Sequence, residues 1–163
     1  MSHLQSPKTN IHQIAKQLLN DSRFDEAKEI LTELLEEDPS DFLAMHMLGL
    51  LAKKAKQWNL AIAFFTRAIE TNRINFASYF ERGLVNRKIA DLPGSISDFS
   101  FALKINPVSV EALNNRGIAL CQAGNPAQAI VDFSEAIALK PNCSQTYFNR
   151  GLAHRTFGQI SAA

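Results

Sequence analysis

This 163-residue sequence predicts an all-α array of stacked antiparallel helix pairs, and three observations carry that reading. Glycines stand at Gly49, Gly83, Gly117 and Gly151, each 34 residues after the last, in a chain with only seven glycines. Phe65, Phe99 and Phe133 keep the same step with Leu31 before them, as do the small residues Ala27, Ala61, Ser95 and Ala129. Apolar residues follow a 3.6-residue spacing twice per period, for example Leu113 and Leu120 and then Ile130, Phe133 and Ile137, while strand-like alternation is absent. A period of this length marks a repeat architecture: each unit leaves an apolar face wet, and its neighbours must cover it.

Four complete repeats run 8–41, 42–75, 76–109 and 110–143, after an N-terminal tail over 1–7. A fifth runs 144–163. The first pair of helices is expected near 9–20 and 24–37, the second holding Ala27 and Leu31. Next come 41–56 around Gly49 and 59–71 around Ala61 and Phe65. The third pair, 75–89 and 92–105, is divided at Asp91, which caps the helix entered by Leu92-Pro93. The fourth, 109–123 and 126–139, is divided by Ala123-Gly124-Asn125-Pro126. There Gly ends one helix, Asn caps the next and Pro takes its first position. A lone helix is expected at 143–157. With the first residue of each repeat as position 1, Gly or Ala at position 8 and Ala or Ser at position 20 let paired helices approach closely. Phe at position 24 fills the volume beside them.

The register resembles that of the tetratricopeptide repeat, which places an aromatic, Leu-Gly, Tyr, Ala, Phe, Ala and Pro at fixed positions. Pro39, Pro107 and Pro141 hold the terminal proline position and Ala68, Ala102 and Ala136 the last alanine. The departures are Arg73 for proline, Asn86 and His154 at the tyrosine position, and arginine for leucine before three glycines. The resemblance covers all but the first seven residues. It implies a right-handed superhelical α-solenoid that serves as a protein–protein interaction scaffold.

Composition excludes other classes. The chain is 46% hydrophobic and 20% charged, with 17 basic and 16 acidic residues and a net charge of +1. This gives no electrostatic basis for nucleic-acid or membrane-surface binding. Nine of the acidic residues lie between Asp21 and Asp41, which leaves residues 42–163 with a surplus of +6. No apolar run reaches the ~18 residues of a membrane span, and the first residues show no signal-peptide core. Cys121 and Cys143 suit neither a metal site nor a disulfide framework, so free thiols in a reducing cytoplasm are expected.

Arg82, Arg116 and Arg150 precede glycines at repeat position 7, where Ile14 and Leu48 stand in the first two repeats. Asp98 and Asp132 follow the first two arginines by 16 residues, where the first two repeats place Ile30 and Phe64. Apolar thus partners apolar, and cation partners anion. Structural pairs Arg82–Asp98 and Arg116–Asp132 fit these counts, and so do Asp98–Arg116 and Asp132–Arg150 between successive repeats.

The resemblance implies that the first helix of each pair lines a concave groove through positions 2, 5, 9, 12 and 13. Carried onto this chain, these are chiefly His12 and Lys16, then His46, Leu50, Lys53 and Lys54, then Phe80, Leu84, Arg87 and Lys88. Asn114, Ile118 and Phe148 continue the groove. An apolar floor with a basic edge at Lys53, Lys54, Arg87 and Lys88 suits a peptide with aliphatic anchors and an acidic flank or free carboxylate. The same cations also complement helix dipoles. Tetratricopeptide repeats that clamp chaperone C-termini need Lys, Asn, Asn, Lys and Arg at positions where this chain has His12, Lys16, Met47, Ala77 and Glu81. That ligand class is not expected. His12 and His46 hold equivalent positions in adjacent repeats, too far apart for one metal unless both rings lean together.

No phosphate loop, nucleophile elbow or His-Glu-x-x-His motif occurs, so neither catalysis nor a cofactor is expected. The competing reading comes from resemblance. Arrays of this Asn-Arg-Gly type resemble those preceding glycosyltransferase or sulfotransferase domains in larger enzymes, where they recognise substrate protein or dimerise. Tyr147, Phe148, Leu152, Phe157 and Ile160 leave the last helix apolar on more than one side. The chain is therefore expected to continue or to pack this helix on a partner, a second copy included.

Overall fold

The computed structural model describes the backbone of residues 7–161 and the side chains of residues 10–158. The helices are α1 (Pro7–Asn20), α2 (Phe24–Glu37), α3 (Phe42–Lys54), α4 (Trp58–Thr71), α5 (Phe76–Lys88), α6 (Leu92–Ile105), α7 (Val110–Gln122), α8 (Pro126–Leu139) and α9 (Ser144–Ser161). No strand occurs among the described residues. Residues 1–6 of the expected tail lie outside them, and Pro7 opens α1. The chain divides into two compact units, Met1–Ile74 and Asn75–Ala163. The division falls within a residue of the junction between the second and third repeats.

Each helix pair is joined by one turn chemistry. After α1, α3, α5 and α7 the residue at repeat position 15 takes a left-handed conformation: Ser22 (φ 62°), Lys56 (φ 58°), Ala90 (φ 64°) and Gly124 (φ 79°). The two amides that follow each helix then bond back into its last turn. Ala90 N–H donates to the Arg87 carbonyl at 3.2 Å and Asp91 N–H to the Asn86 carbonyl at 2.9 Å, and the other three turns repeat this pattern. This early turn is why α3 stops at Lys54, short of the expected residue 56.

Only the fourth turn has the glycine that suits such a φ. A left-handed non-glycine residue costs about 1–2 kcal/mol, so Ala90→Gly is expected to stabilise the second unit by roughly 0.5–1 kcal/mol after the added unfolded-chain entropy. A thermal midpoint unchanged or lowered by this substitution would contradict that account of the turn.

Capping follows position as well. Asp41, Asn75 and Ser109 precede the first helix of their repeats and accept the backbone N–H of Ala44, Ser78 and Ala112 at 2.9, 3.2 and 3.2 Å. Asp91 accepts Gly94 N–H at 3.1 Å. Asn125 departs from expectation: it accepts no amide of α8, and its Nδ2 turns back to the Ala123 carbonyl at 3.4 Å. Pro126 lacks an N–H, so α8 needs one donor fewer satisfied.

In the first unit the core gathers Ala15, Leu31, Leu34, Ala44 and Leu48, with Phe64 packed against it. In the second, Leu103, Ala112, Leu113 and Ala136 form one cluster, and Leu120, Ala129, Phe133 and Ala153 another. The small residues work by near contact. A Cβ placed on Gly49 would come 2.5 Å from Phe65, on Gly83 3.0 Å from Phe99, and on Gly117 2.6 Å from Phe133. Ser95 closes the Gly83 contact by donating its hydroxyl to the Gly83 carbonyl at 2.9 Å. The first repeat reaches the same close packing another way, with Ala15 opposite the smaller Leu31, both fully buried.

Candidate functional site

In the first unit, α1 presents His12 and Lys16, and α3 presents His46, Leu50, Lys53 and Lys54. His12 is not free to meet a ligand. Its Nε2 lies 3.0 and 2.9 Å from the two carboxylate oxygens of Asp41, the residue that caps α3. Nε2 must therefore carry the proton and donate. The His46 ring packs at 5.5 Å, tilted, against Phe65. Lys54 Nζ sits 4.4 Å above the ring of Phe24 at the start of α2, whereas Lys16 is exposed and Leu50 and Lys53 are half-buried. Lys53 and Lys54 occupy the last turn of α3, where they complement its dipole. Among the described residues no group of three His, Cys, Asp or Glu side chains gathers as a metal site.

In the second unit, Phe80 stacks on Phe76 and meets Phe99 edge-on, each at 5.7 Å between ring centres. Its ring is thereby drawn into the core. Leu84 and Ile118 are half-buried, Lys88 is exposed, and Phe148 on α9 is 67% exposed. Arg87 Nη2 donates to Asn115 Oδ1 at 3.3 Å, and Asn114 Nδ2 donates to Thr146 Oγ1 at 2.8 Å. Two polar atoms here are buried without any hydrogen-bond partner, Arg87 Nε and Asn114 Oδ1. Whichever way the Asn114 amide is turned, one end of it stays unmatched. A folded chain rarely buries such atoms, because each one costs about 1–3 kcal/mol. Both positions belong to the groove set expected from the repeat register, but nothing in the sequence marks them as the ones that bury an unmatched atom.

The arginines before glycine are half-buried, and the first two hold a buried aspartate of their own repeat. Arg82 Nε and Nη2 donate to the two oxygens of Asp98 at 3.0 and 2.7 Å, and Asn86 Nδ2 adds a third bond at 3.0 Å. Arg116 holds Asp132 with the same fork at 2.8 and 2.7 Å. The partner in the preceding repeat is a serine, not an aspartate. Arg116 Nη1 reaches Ser100 Oγ at 3.2 Å and Arg150 Nη1 reaches Ser134 Oγ at 3.3 Å. Each serine hydroxyl in turn donates a hydrogen bond to the carbonyl four residues back. Asn86, a departure at the tyrosine position, is thus the third arm of a clamp. Sequence spacing had shown no role for it.

Burial pushes the Asp98 carboxyl above its ordinary value of 3.8, outweighing the Arg82 and Asn86 bonds that pull it down. The unfolded chain therefore releases this proton at lower pH than the folded one. The increment of stability that comes from this shift is complete below pH 3.8 and is lost as pH rises through the raised folded value. The thermal midpoint of wild type minus that of Asp98→Asn is expected to fall as pH rises from 3.8 through the raised folded value. A difference that is flat or climbs with pH would be inconsistent with burial dominating.

Two family profiles, each described as tetratricopeptide repeat, match residues 12–75 and 110–143, together more than half of the chain. The chain is a tetratricopeptide-repeat protein. Its helix pairs, position-8 glycines and position-24 phenylalanines are those of this repeat family. No curated protein matches it by sequence. Among solved structures, this tetratricopeptide-repeat chain is similar to MamA at TM-score 0.84 and 23% identity, covering 92% of this chain and 82% of that one. It is also similar to YrrB, described as a TPR protein with an unusual peptide-binding site, at 0.81 and 19%, covering 89% and 75%. The first TPR of Spaghetti (RPAP3), solved with the HSP90 peptide SRMEEVD, matches at 0.70 and 18%, covering 74% and 96%. At such identities the likeness is one of fold. No described helix is long and apolar enough to cross a membrane.

Proposed function

We propose that this tetratricopeptide-repeat protein is an interaction scaffold that binds a peptide or protein segment along the first helices of its repeats. The observation that carries the reading is the tetratricopeptide-repeat fold itself, which sets the half-buried Arg87 and Asn114 on the first helices of the second unit. The Arg87 guanidinium donates and the Asn114 amide both donates and accepts, and a peptide backbone offers the complement of both. The arginine also supplies a charge for an acidic flank or a free carboxylate, with Leu84 and Ile118 as half-buried apolar contacts. Recognition here requires no catalytic group. One structure of similar fold is solved with a peptide and another is described as having a peptide-binding site, and this shared fold lends the reading support.

The test is selection of short random peptides against the purified protein, followed by affinity measurement on single-site variants. Selected sequences are expected to pair aliphatic residues with Asp, Glu or a C-terminal carboxylate. Arg87→Glu should weaken them at least about tenfold, as loss of a desolvated charge contact does. Asn114→Leu should weaken them less. Enriched peptides that bind both variants as tightly as wild type would sink the proposal.

A further inference from the structure

We propose that the first unit holds a small-molecule site, outside the peptide groove, for a free carboxylic acid with an apolar body of about eight carbons. A cavity of about 300 Å³ opens between α2, α3 and α4. Its walls are apolar: Phe24 from α2, Leu48, Leu51 and Ala52 from α3, and Leu60 and Phe64 from α4. Leu60 is 46% exposed, so this lining is wet in the free protein and gains from being covered. Leu48, Leu51 and Ala52 lie on the side of α3 opposite to His46, Leu50 and Lys53, so the cavity is separate from the groove positions. Its volume is at the small end of ligand pockets, and at ~30 Å³ for a water-sized group it has room for about ten heavy atoms. A carboxylate on a chain of about eight carbons in all has that size.

Repeat equivalence sets this cavity apart. The second unit has its counterpart between α6, α7 and α8, a cavity of about 310 Å³ lined by Ile96, Ser100, Arg116, Leu120, Gln128 and Asp132. Each of these stands 68 residues after a lining residue of the first cavity. In the counterpart the wall is charged, formed by the fork of Arg116 on Asp132, and Gln128 takes the place of Leu60. In the first unit Leu48 and Phe64 make that wall apolar, and the cation stands elsewhere, with Lys28 at the position of Ile96. Lys28 is exposed and lines the cavity, and no acidic side chain among the described residues pairs with it. Lys54 Nζ, 4.4 Å above the Phe24 ring, adds a second positive charge. Against these two stands Asp25, the one carboxylate among the described lining residues. Gln57, also in the lining, offers an amide donor. An apolar interior with a cationic mouth selects an apolar chain that ends in an anion.

The experiment titrates the purified protein with octanoate and follows the fluorescence of Trp58, the chain's one tryptophan, which directly follows the lining residue Gln57. Saturable binding is expected, with NMR shifts at Leu48, Leu60 and Phe64 and none at Leu120. Octylammonium, the same chain with the opposite charge, should bind about tenfold more weakly. Acetate, which keeps the head without the chain, should bind more weakly still. Lys28→Glu should weaken octanoate about fivefold or more, while Lys28→Arg keeps its affinity. Ala55 lines the cavity from an exposed position, so Ala55→Phe should fill it and abolish binding with the circular dichroism spectrum and thermal midpoint unchanged. Absence of saturable binding, equal binding of octylammonium, or octanoate binding that survives Ala55→Phe overturns the proposal. So does a short peptide ending in a leucine carboxylate that binds this cavity more tightly than octanoate, since the occupant would then be a protein terminus.

Discussion

Phe133→Ala is expected to lower the unfolding free energy of the second unit by about 3–5 kcal/mol, the range for truncating a fully enclosed aromatic ring. The ring is 1% exposed and lies beside Gly117, so its loss opens a cavity between α7 and α8 that neither helix can close without shifting. Denaturant unfolding followed by circular dichroism reads this directly. A companion measurement tests the reason. The first repeat solves the same contact with Ala15 and Leu31, both fully buried. Gly117→Ala alone drives a methyl to 2.6 Å from the ring and should destabilise despite alanine's better helix propensity. Combined with Phe133→Leu it should recover most of the loss. If the double variant is no better than the sum of its parts, positions 8 and 24 are not the coupled pair described.

Asp98→Ala should be nearly as costly, about 3 kcal/mol, because it strands the Arg82 fork and the Asn86 amide around an empty site. The second repeat shows what apolar replacement looks like, with Leu48, Ala52 and Phe64 at the three equivalent positions and all three in or beside the core. The triple variant Arg82→Leu, Asn86→Ala, Asp98→Phe is accordingly expected to come within about 1 kcal/mol of wild type, since a well-packed apolar set often matches a buried ion pair. If the triple variant is as unstable as Asp98→Ala, the clamp supplies stability that packing cannot replace.

Much of this architecture can be read from residue spacing alone. Helix boundaries at Glu37, Thr71, Ile105 and Leu139 fall where periodicity placed them, since the apolar pattern and the 34-residue step are local properties. Boundaries drifted where a cap decided them. The α3 terminus retreated to Lys54 because Lys56 turned left-handed, and α9 lengthened because Gly158 did not. The candidate groove was less legible. His12, His46 and Phe80 sit on the expected helices, but Asp41, Phe65 and the Phe76–Phe99 core engage their rings. Repeat position names the helix face and says nothing of which neighbour reaches the side chain first.

The sequence by itself determined the repeat, its helix pairs and the complementarity of positions 7 with 23 and 8 with 24, because the same spacing brings the same positions together in each complete repeat. Only the tertiary structure decided which aspartate each arginine holds, since partners 16 and 18 residues away suit the same counts until packing brings one of them to 2.7 Å. Packing also decided that Asn125 leaves α8 uncapped, that Arg87 and Asn114 each bury an unmatched atom, and that Gly151 faces open space. Hydrogen bonds and close contacts are settled within a few tenths of an ångström, and helical periodicity specifies a side chain's direction only to within a face.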